Sequence, residues 1–343
     1  MNVDFAFPAS GVTGLFGPSG SGKTTLLRCA AGLSRASGGF MEFNGETWQD
    51  DNNNFFIPAH QRRIGYVFQD ARLFWHLNVK NNIEFGYNRI PEGERILKPD
   101  EVVEWLSLGH LLDRYPERLS GGEKQRVAMA RAILTNPKLM LFDEPLASLD
   151  DDGKREIMRF LEVLHEKLSI PSIYVTHSIG EIQRLADYLA LIKDGAIYAH
   201  GPLNEVITNL NLPLAGMKET GSVLESTVLR HDEQYHLTEL GFAGGVIMAP
   251  KIERPIGSHV RVKIPARDVS LALQYPRQTS VLNIFEGSVV EIASHDPAYM
   301  MVSVKIGGNS ILLSRVTKKS AESLDLKPGR LVVAMVKSAV LDV

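Results

Sequence analysis

The chain has 343 residues, enough for two domains that each hold a core. Its 37 Lys and Arg stand against 40 Asp and Glu, so no large basic face for nucleic acid is implied, and a single cysteine, Cys29, excludes an intrachain disulfide and suits a reducing compartment. Residues 1–7 carry an acid at Asp4 without a basic or apolar leader region, and no run reaches about 18 apolar residues, so neither a signal peptide nor a membrane span is expected.

The first predicted strand, Val12–Phe16, runs into Gly17-Pro18-Ser19-Gly20-Ser21-Gly22-Lys23-Thr24, and a helix is predicted over 25–32. These residues fit the pattern G-x-x-x-x-G-K-[ST], which points to nucleoside triphosphates. Backbone N–H groups freed by the glycines curl around a polyphosphate, Lys23 brings a point charge to its terminal phosphates, and the Thr24 hydroxyl can ligate Mg²⁺. Thr25 opens the helix against the same anion, and Cys29, further along it, reads as a buried small hydrophobe.

Further strands are predicted at 64–68, 139–142, Ser172–Thr176 and 188–192, with helices at 121–134 and 151–168. Strands buried on both faces and linked by helices predict an α/β fold with a parallel sheet. Between residues 70 and 135 the text turns helical, as for an inserted helical subdomain. Gln69 follows the strand at 64–68 and faces the same end of the sheet as the phosphate loop. The strand at 139–142 runs into Asp143 and Glu144, where one carboxylate can hold Mg²⁺ and the other can polarise an attacking water.

The run Leu119-Ser120-Gly121-Gly122-Glu123-Lys124-Gln125-Arg126 opens a helix with exposed backbone N–H groups, a second anion-facing surface. Two phosphate-facing surfaces on one chain predict a head-to-tail homodimer, in which Ser120, Gly121 and Gly122 of one subunit complete the nucleotide site of the other.

With these motifs in order, the N-terminal two-thirds resembles the nucleotide-binding subunit of an ABC transporter, a P-loop NTPase. The resemblance makes Gly17 to Thr24 its Walker A loop, Gln69 its Q-loop glutamine, Leu119 to Gln125 its signature and Leu139 to Glu144 its Walker B strand. It makes Ser148-Leu149-Asp150 its D-loop, with Asp150 acting in trans, and His177 its switch histidine, contacting the γ-phosphate and attacking water. It implies ATP and Mg²⁺ as cofactors, with Thr24, Gln69 and Asp143 at the metal and Glu144, His177 and Gln69 catalytic. It also implies transmembrane permease partners and a peripheral place on the cytoplasmic face of a bacterial inner membrane. Phe74, Trp75 and His76 then lie where a membrane subunit docks, with packing inside the helical subdomain as the other reading. Trp75 stands where such relatives mostly have proline. The adenine-stacking aromatic is not assigned, since sixteen residues precede Gly17 and only Phe5 and Phe7 could stand in.

Beyond residue 216 the pattern changes to short alternating runs, at 259–264, 288–292, 301–306 and Leu331–Val336, a small β-barrel of OB-like type. The domain expectation is 1–215 for the ATPase and 220–343 for the tail. Arg63-Ile64-Gly65-Tyr66-Val67-Phe68-Gln69-Asp70-Ala71-Arg72-Leu73-Phe74 resembles the ATPase subunit of bacterial molybdate importers. The tail agrees: Ser280-Val281-Leu282-Asn283-Ile284-Phe285-Glu286-Gly287, with the run from Ser320 to Gly329, resembles the small oxyanion-binding Mop/TOBE fold over 280–343. This implies ATP-driven molybdate import, a periplasmic oxyanion-binding protein as an indirect partner, and molybdate or tungstate as a regulatory ligand. A doubly charged oxyanion suits neutral donors plus a cation, and Ser280, Asn283, Ser320, Lys337 and Ser338 are the expected set, with ordinary turn and cap residues as the alternative. An importer of sulfate, iron, polyamine or sugar, and a soluble non-transport ABC ATPase, remain open at this point.

Overall fold

The computed structural model describes residues 2–147, 149–168 and 170–337. It divides into two compact units, Met1–Gly201 and Pro202–Val343.

The first unit is built on a sheet of strands β1 (Val12–Phe16), β5 (Ile64–Val67), β6 (Leu139–Asp143), β7 (Ser172–Thr176), β8 (Tyr188–Lys193) and β9 (Ala196–Pro202), in the order β5-β6-β7-β1-β8-β9. β1, β6 and β7 are buried along their whole length, which explains their unbroken apolar text. The pairs β1–β7, β1–β8, β5–β6 and β6–β7 are parallel, so these strands all present their carboxyl ends at one edge. Ligands of open α/β sheets bind at that edge, and residues 17–24, 69, 144 and 177 all emerge there. Helices α1 (Lys23–Ala30), α5 (Asp151–Lys167) and α6 (Ile179–Leu185) connect the strands, and Leu15, Leu27, Leu141, Val175 and Ile192 share one core.

Sequence periodicity does not reveal the small antiparallel sheet of β2 (Phe40–Phe43), β3 (Glu46–Asp50) and β4 (Phe55–Phe56). Its strands are short and half exposed, with Phe40 facing solvent, so alternation is too brief to register. The helical section holds α2 (Val79–Tyr87), α3 (Pro99–Trp105) and α4 (Gly121–Ile133), packed through Val79, Ile83, Val102, Leu111, Val127 and Ile133.

One buried polar side chain shapes that section. Asn82, on α2, accepts the Phe74 N–H at 2.8 Å and donates to the carbonyls of Phe74, Leu77 and Asn78 at 3.0, 2.9 and 3.1 Å. Its carboxamide thus substitutes for a strand or helix ladder along the loop that carries Trp75. Asn82→Ala is expected to cost about 2–3 kcal/mol, because the loop's backbone groups lose their partners away from water. A fall in the urea midpoint of the ATPase unit, with faster proteolysis at residues 74–78, is the measurement.

The second unit begins with α7 (Leu203–Ile207), and its strands pair antiparallel. One sheet runs β12-β11-β10-β13, from β10 (Gly221–Asp232), β11 (Leu237–Phe242), β12 (Gly245–Pro250) and β13 (His259–Pro265). The other runs β14-β18-β15-β16-β17, from β14 (Val269–Ala272), β15 (Asn283–Ser294), β16 (Tyr299–Lys305), β17 (Ile311–Thr317) and β18 (Leu331–Val336), with α8 (Lys318–Ser323) between the last two in sequence. Alternate residues from both sheets, among them Leu240, Ile247, Val262, Val302, Leu312 and Ala334, fill one core, giving an OB-like curled β-domain.

Candidate nucleotide site

The phosphate loop is built as its composition demands. Gly22 sits at φ 99°, in the left-handed region, where it starts α1. A Cβ on Gly17 would stand 2.1 Å from the Ile192 carbonyl oxygen, so only glycine lets the loop run this close to β8. Lys23 is buried and its Nζ donates to the carbonyls of Gly17 and Pro18 at 2.8 and 2.9 Å. Burial lowers the Lys23 pKa from its ordinary value, with Glu144 and then Asp143 pulling it back up. The Ser21 hydroxyl is buried without a hydrogen-bond partner, an orphaned donor inside the loop that an anionic group would satisfy. Pro18, Ser19, Gly20, Thr24 and Thr25 are exposed around it. The residues present therefore fit a bound polyphosphate.

Next to the loop, Thr24 Oγ1 donates to Asp143 Oδ1 at 2.9 Å. A hydroxyl and a carboxylate so placed are hard oxygen ligands suited to Mg²⁺. Gln69 lies exposed just past β5, beside the end of β6. Glu144 has φ 45°, a conformation disfavoured for a side chain with a Cβ, and its N–H donates to the Val175 carbonyl at 3.0 Å. That turn directs its carboxylate to His177, whose Nδ1 lies 3.1 Å from Glu144 Oε2. A carboxylate and an imidazole in contact beside a metal-type pair can hold and relay the proton of an attacking water.

His177 itself is exposed, and residues the sequence reading did not single out fix its neighbours. The buried Tyr174 hydroxyl donates to Glu181 Oε2 at 2.8 Å, and the Ser178 N–H donates to Thr176 Oγ1 at 3.0 Å. Arg62 was also missed. Only 5% exposed, it donates to the carbonyls of Ile57, Cys29, Ala30 and Trp48 and stacks on the Trp48 and Phe56 rings, tying the end of α1 to the small sheet. Cys29 is buried, as its apolar setting suggests.

Ser120 caps α4 reciprocally with Glu123: Ser120 N–H donates to Glu123 Oε2 at 2.7 Å and Glu123 N–H to Ser120 Oγ at 3.2 Å. Burial works to raise the Glu123 pKa, but the hydrogen bonds from Ser120, aided by Arg114 and Arg126, leave it below its ordinary value. Ser120 and Gly121 are exposed and Gly122 is half-buried. Asp150 caps α5, accepting the Gly153 N–H at 3.0 Å, while Ser148 lies outside the described residues. Gln125 Nε2 donates to the Phe68 carbonyl at 3.0 Å, which ties α4 to the residue before Gln69.

The Phe74–Trp75 pair divides between the two readings open from sequence. Phe74 packs inward, 4.3 Å from the Phe85 ring with the Arg131 guanidinium over it, whereas Trp75 is 58% exposed with Lys124 over its ring. Phe5 and Phe7 pack together, and Phe5 lies against His200 and Tyr188, near the start of β8 and away from the phosphate loop. The adenine-stacking residue therefore stays unassigned.

The oxyanion set needs correction. Asn283 is buried; its Oδ1 accepts the Met248 N–H at 2.7 Å and its Nδ2 donates to the Met248 carbonyl at 2.9 Å, so its carboxamide fastens β15 to β12 and is taken from the set. Ser280 and Lys337 are exposed near the Asn283–Val336 end of the sheet. Ser320 is the other misfit: its N–H and hydroxyl meet Thr317 Oγ1 in the first turn of α8, and Thr317 pairs with Tyr299 at the opposite end of the twelve-residue β15. Ser320 thus lies at the other end of β15 from Ser280 and Lys337. Ser338 lies outside the described residues.

A P-loop on a parallel sheet, a metal-type Thr24–Asp143 pair, the Glu144–His177 pair and an inserted helical section with a capped glycine turn define an ABC-type ATPase. The ABC transporter family model matches residues 1–147 and the TOBE domain model residues 279–343. Two dimeric structures of ATP-binding cassettes, one described as a post-hydrolysis state bound to ADP and Pi and one as a bacterial ABC transporter cassette, align with TM-score 0.50 and 28% identity over 59% of this chain and 89% of theirs. The molybdenum import ATP-binding protein ModC of Albidiferax ferrireducens is 47% identical, covering 99% of this chain and 92% of its own. That of Pseudomonas aeruginosa is 48% identical, covering 98% and 94%, and ModC 1 of Azotobacter vinelandii is 45% identical, covering 99% and 94%. The chain belongs to the ModC family of molybdenum import ATP-binding proteins.

Proposed function

We propose that this chain is the ATP-hydrolysing subunit that powers molybdate import, acting as a homodimer beneath transmembrane permease subunits that receive molybdate from a periplasmic binding protein. One observation carries the reading: Thr24–Asp143 and Glu144–His177 stand as hydrogen-bonded pairs at one phosphate loop, in a chain alike over almost its whole length to molybdenum import ATP-binding proteins. Mg²⁺ held by Thr24 and Asp143, with Gln69 beside them, would neutralise charge on the β- and γ-phosphates. Lys23 and the loop amides orient the nucleotide, Glu144 takes the proton of the attacking water, and His177 holds it in line. Ser120, Gly121, Gly122 and Asp150 of the second subunit close the site from the other side. ATP thereby closes the dimer and hydrolysis reopens it, and the helical section around Trp75 passes the motion to the permease. Peripheral attachment at the cytoplasmic membrane face follows from that partner; among the described residues no helix is long and apolar enough to cross a membrane.

The test is uptake by proteoliposomes holding the chain and its permease. ATP-dependent accumulation of molybdate well above sulfate is expected, and equal or greater uptake of sulfate, iron, polyamine or sugar overturns the cargo. Titration calorimetry of the full chain with molybdate, tungstate and sulfate tests the C-terminal unit as an oxyanion-binding regulatory domain. Heat with the first two and none with sulfate is expected; no heat with any oxyanion removes molybdate as a regulatory ligand.

A further inference from the structure

Asp143 is buried, and its two oxygens have different partners. Oδ1 accepts from Thr24 Oγ1, and Oδ2 accepts from the Tyr66 hydroxyl, each at 2.9 Å. Tyr66 lies on β5 opposite Leu141 of β6, so Asp143, two residues further along β6, is on the same face of the sheet. The phenol has little freedom to point elsewhere. Its ring stacks on Phe68 with centroids 4.1 Å apart, and Phe68 is covered by the Arg72 guanidinium at 4.2 Å and held through its carbonyl by Gln125.

A carboxylate turns about its terminal torsion in a broad, two-fold well. Without a partner on Oδ2, the Asp143 carboxylate plane could turn away from Thr24, and one oxygen would be left without a hydrogen bond in a buried site. We infer that Tyr66 is a positioning residue for the divalent ion: by donating to Oδ2 it locks Asp143 with Oδ1 toward Thr24, the orientation in which both oxygens can face the metal. The inference rests on the proposed ATPase reading. It also connects the metal end of β6 to the stem of the Gln69 loop, since the ring that orients Asp143 is stacked on the residue preceding Gln69.

The experiment uses full-length Tyr66→Phe, which removes one oxygen atom and keeps the stacked ring, with Tyr66→Met as a second hydroxyl-free variant. Three quantities are read: affinity for a fluorescent ATP analogue in EDTA, Mn²⁺ affinity of the ATP-bound protein by electron paramagnetic resonance, and the Mg²⁺ concentration giving half-maximal turnover. Expected are an EDTA affinity within about twofold of wild type, and Mn²⁺ affinity and Mg²⁺ requirement both weakened about 10-fold, with lost turnover recovered by added Mg²⁺. Lower turnover at every Mg²⁺ concentration with unmoved Mn²⁺ affinity would mean that Tyr66 serves packing alone, and would overturn the inference while the ATPase reading stands. ATP turnover by wild type that is indifferent to divalent ions overturns both.

Discussion

Glu144→Gln lowers ATP turnover by at least about 100-fold while nucleotide binding survives, because an isosteric amide keeps the shape of the site and removes its base. The geometry leaves the base little latitude. Glu144 is held at φ 45° by its N–H bond to Val175 at one end and by His177 at 3.1 Å from its carboxylate at the other. Gln retains a hydrogen-bonding oxygen for His177 but cannot accept a proton from water at neutral pH. Steady-state phosphate release and equilibrium ATP binding on the same preparation separate the two effects. Under the proposed head-to-tail assembly the variant also accumulates as a dimer with ATP and Mg²⁺, visible by size-exclusion chromatography with light scattering. Turnover within a few-fold of wild type would place the base on another residue.

Arg62→Met has the largest expected effect on stability, about 3–5 kcal/mol. The guanidinium serves four backbone carbonyls, three of them at 2.8 Å and that of Trp48 at 3.2 Å, and lies over the Trp48 and Phe56 rings. Two of those carbonyls, Cys29 and Ala30, end α1, where a cation also complements the helix dipole. Methionine fills much of the volume and satisfies none of the four. Arg62→Lys recovers only part of the loss, since an ammonium lacks the planar fork that reaches several acceptors at once. For a unit of this size the midpoint of thermal unfolding falls by roughly 10 °C. The measurement is calorimetric melting of the full chain with and without ATP, and a shift under 2 °C or so would show that water replaces the lost donors.

The nucleotide-binding half was readable because its chemistry is made by contiguous stretches. A loop of glycines ending in Lys23 and Thr24 works through its own backbone, and an apolar strand ending in Asp143 and Glu144 carries its carboxylates to the sheet edge by strand geometry alone. The second unit was readable as a small β-domain from its alternation, but its polar residues were not readable one at a time. Asn283 and Ser320 sit in turn-rich text where a ligand-binding donor and a capping donor look alike. Only the pairing of Asn283 with Met248, 35 residues away, and the distance along β15 tell them apart.

Sequence by itself determined the class of fold and the order of the main parallel strands, and it brought forward the candidate phosphate, metal and water-activating residues, since each depends on neighbours within a few positions along the chain. Tertiary structure decided what Arg62, Tyr66 and Asn82 do and which way Phe74 and Trp75 face. These side chains are defined by partners on other elements, such as Asp143 for Tyr66 at a separation of 77 residues. A buried polar group must find its hydrogen bonds wherever the fold places them, and nothing in the local text of a strand or loop states where that will be.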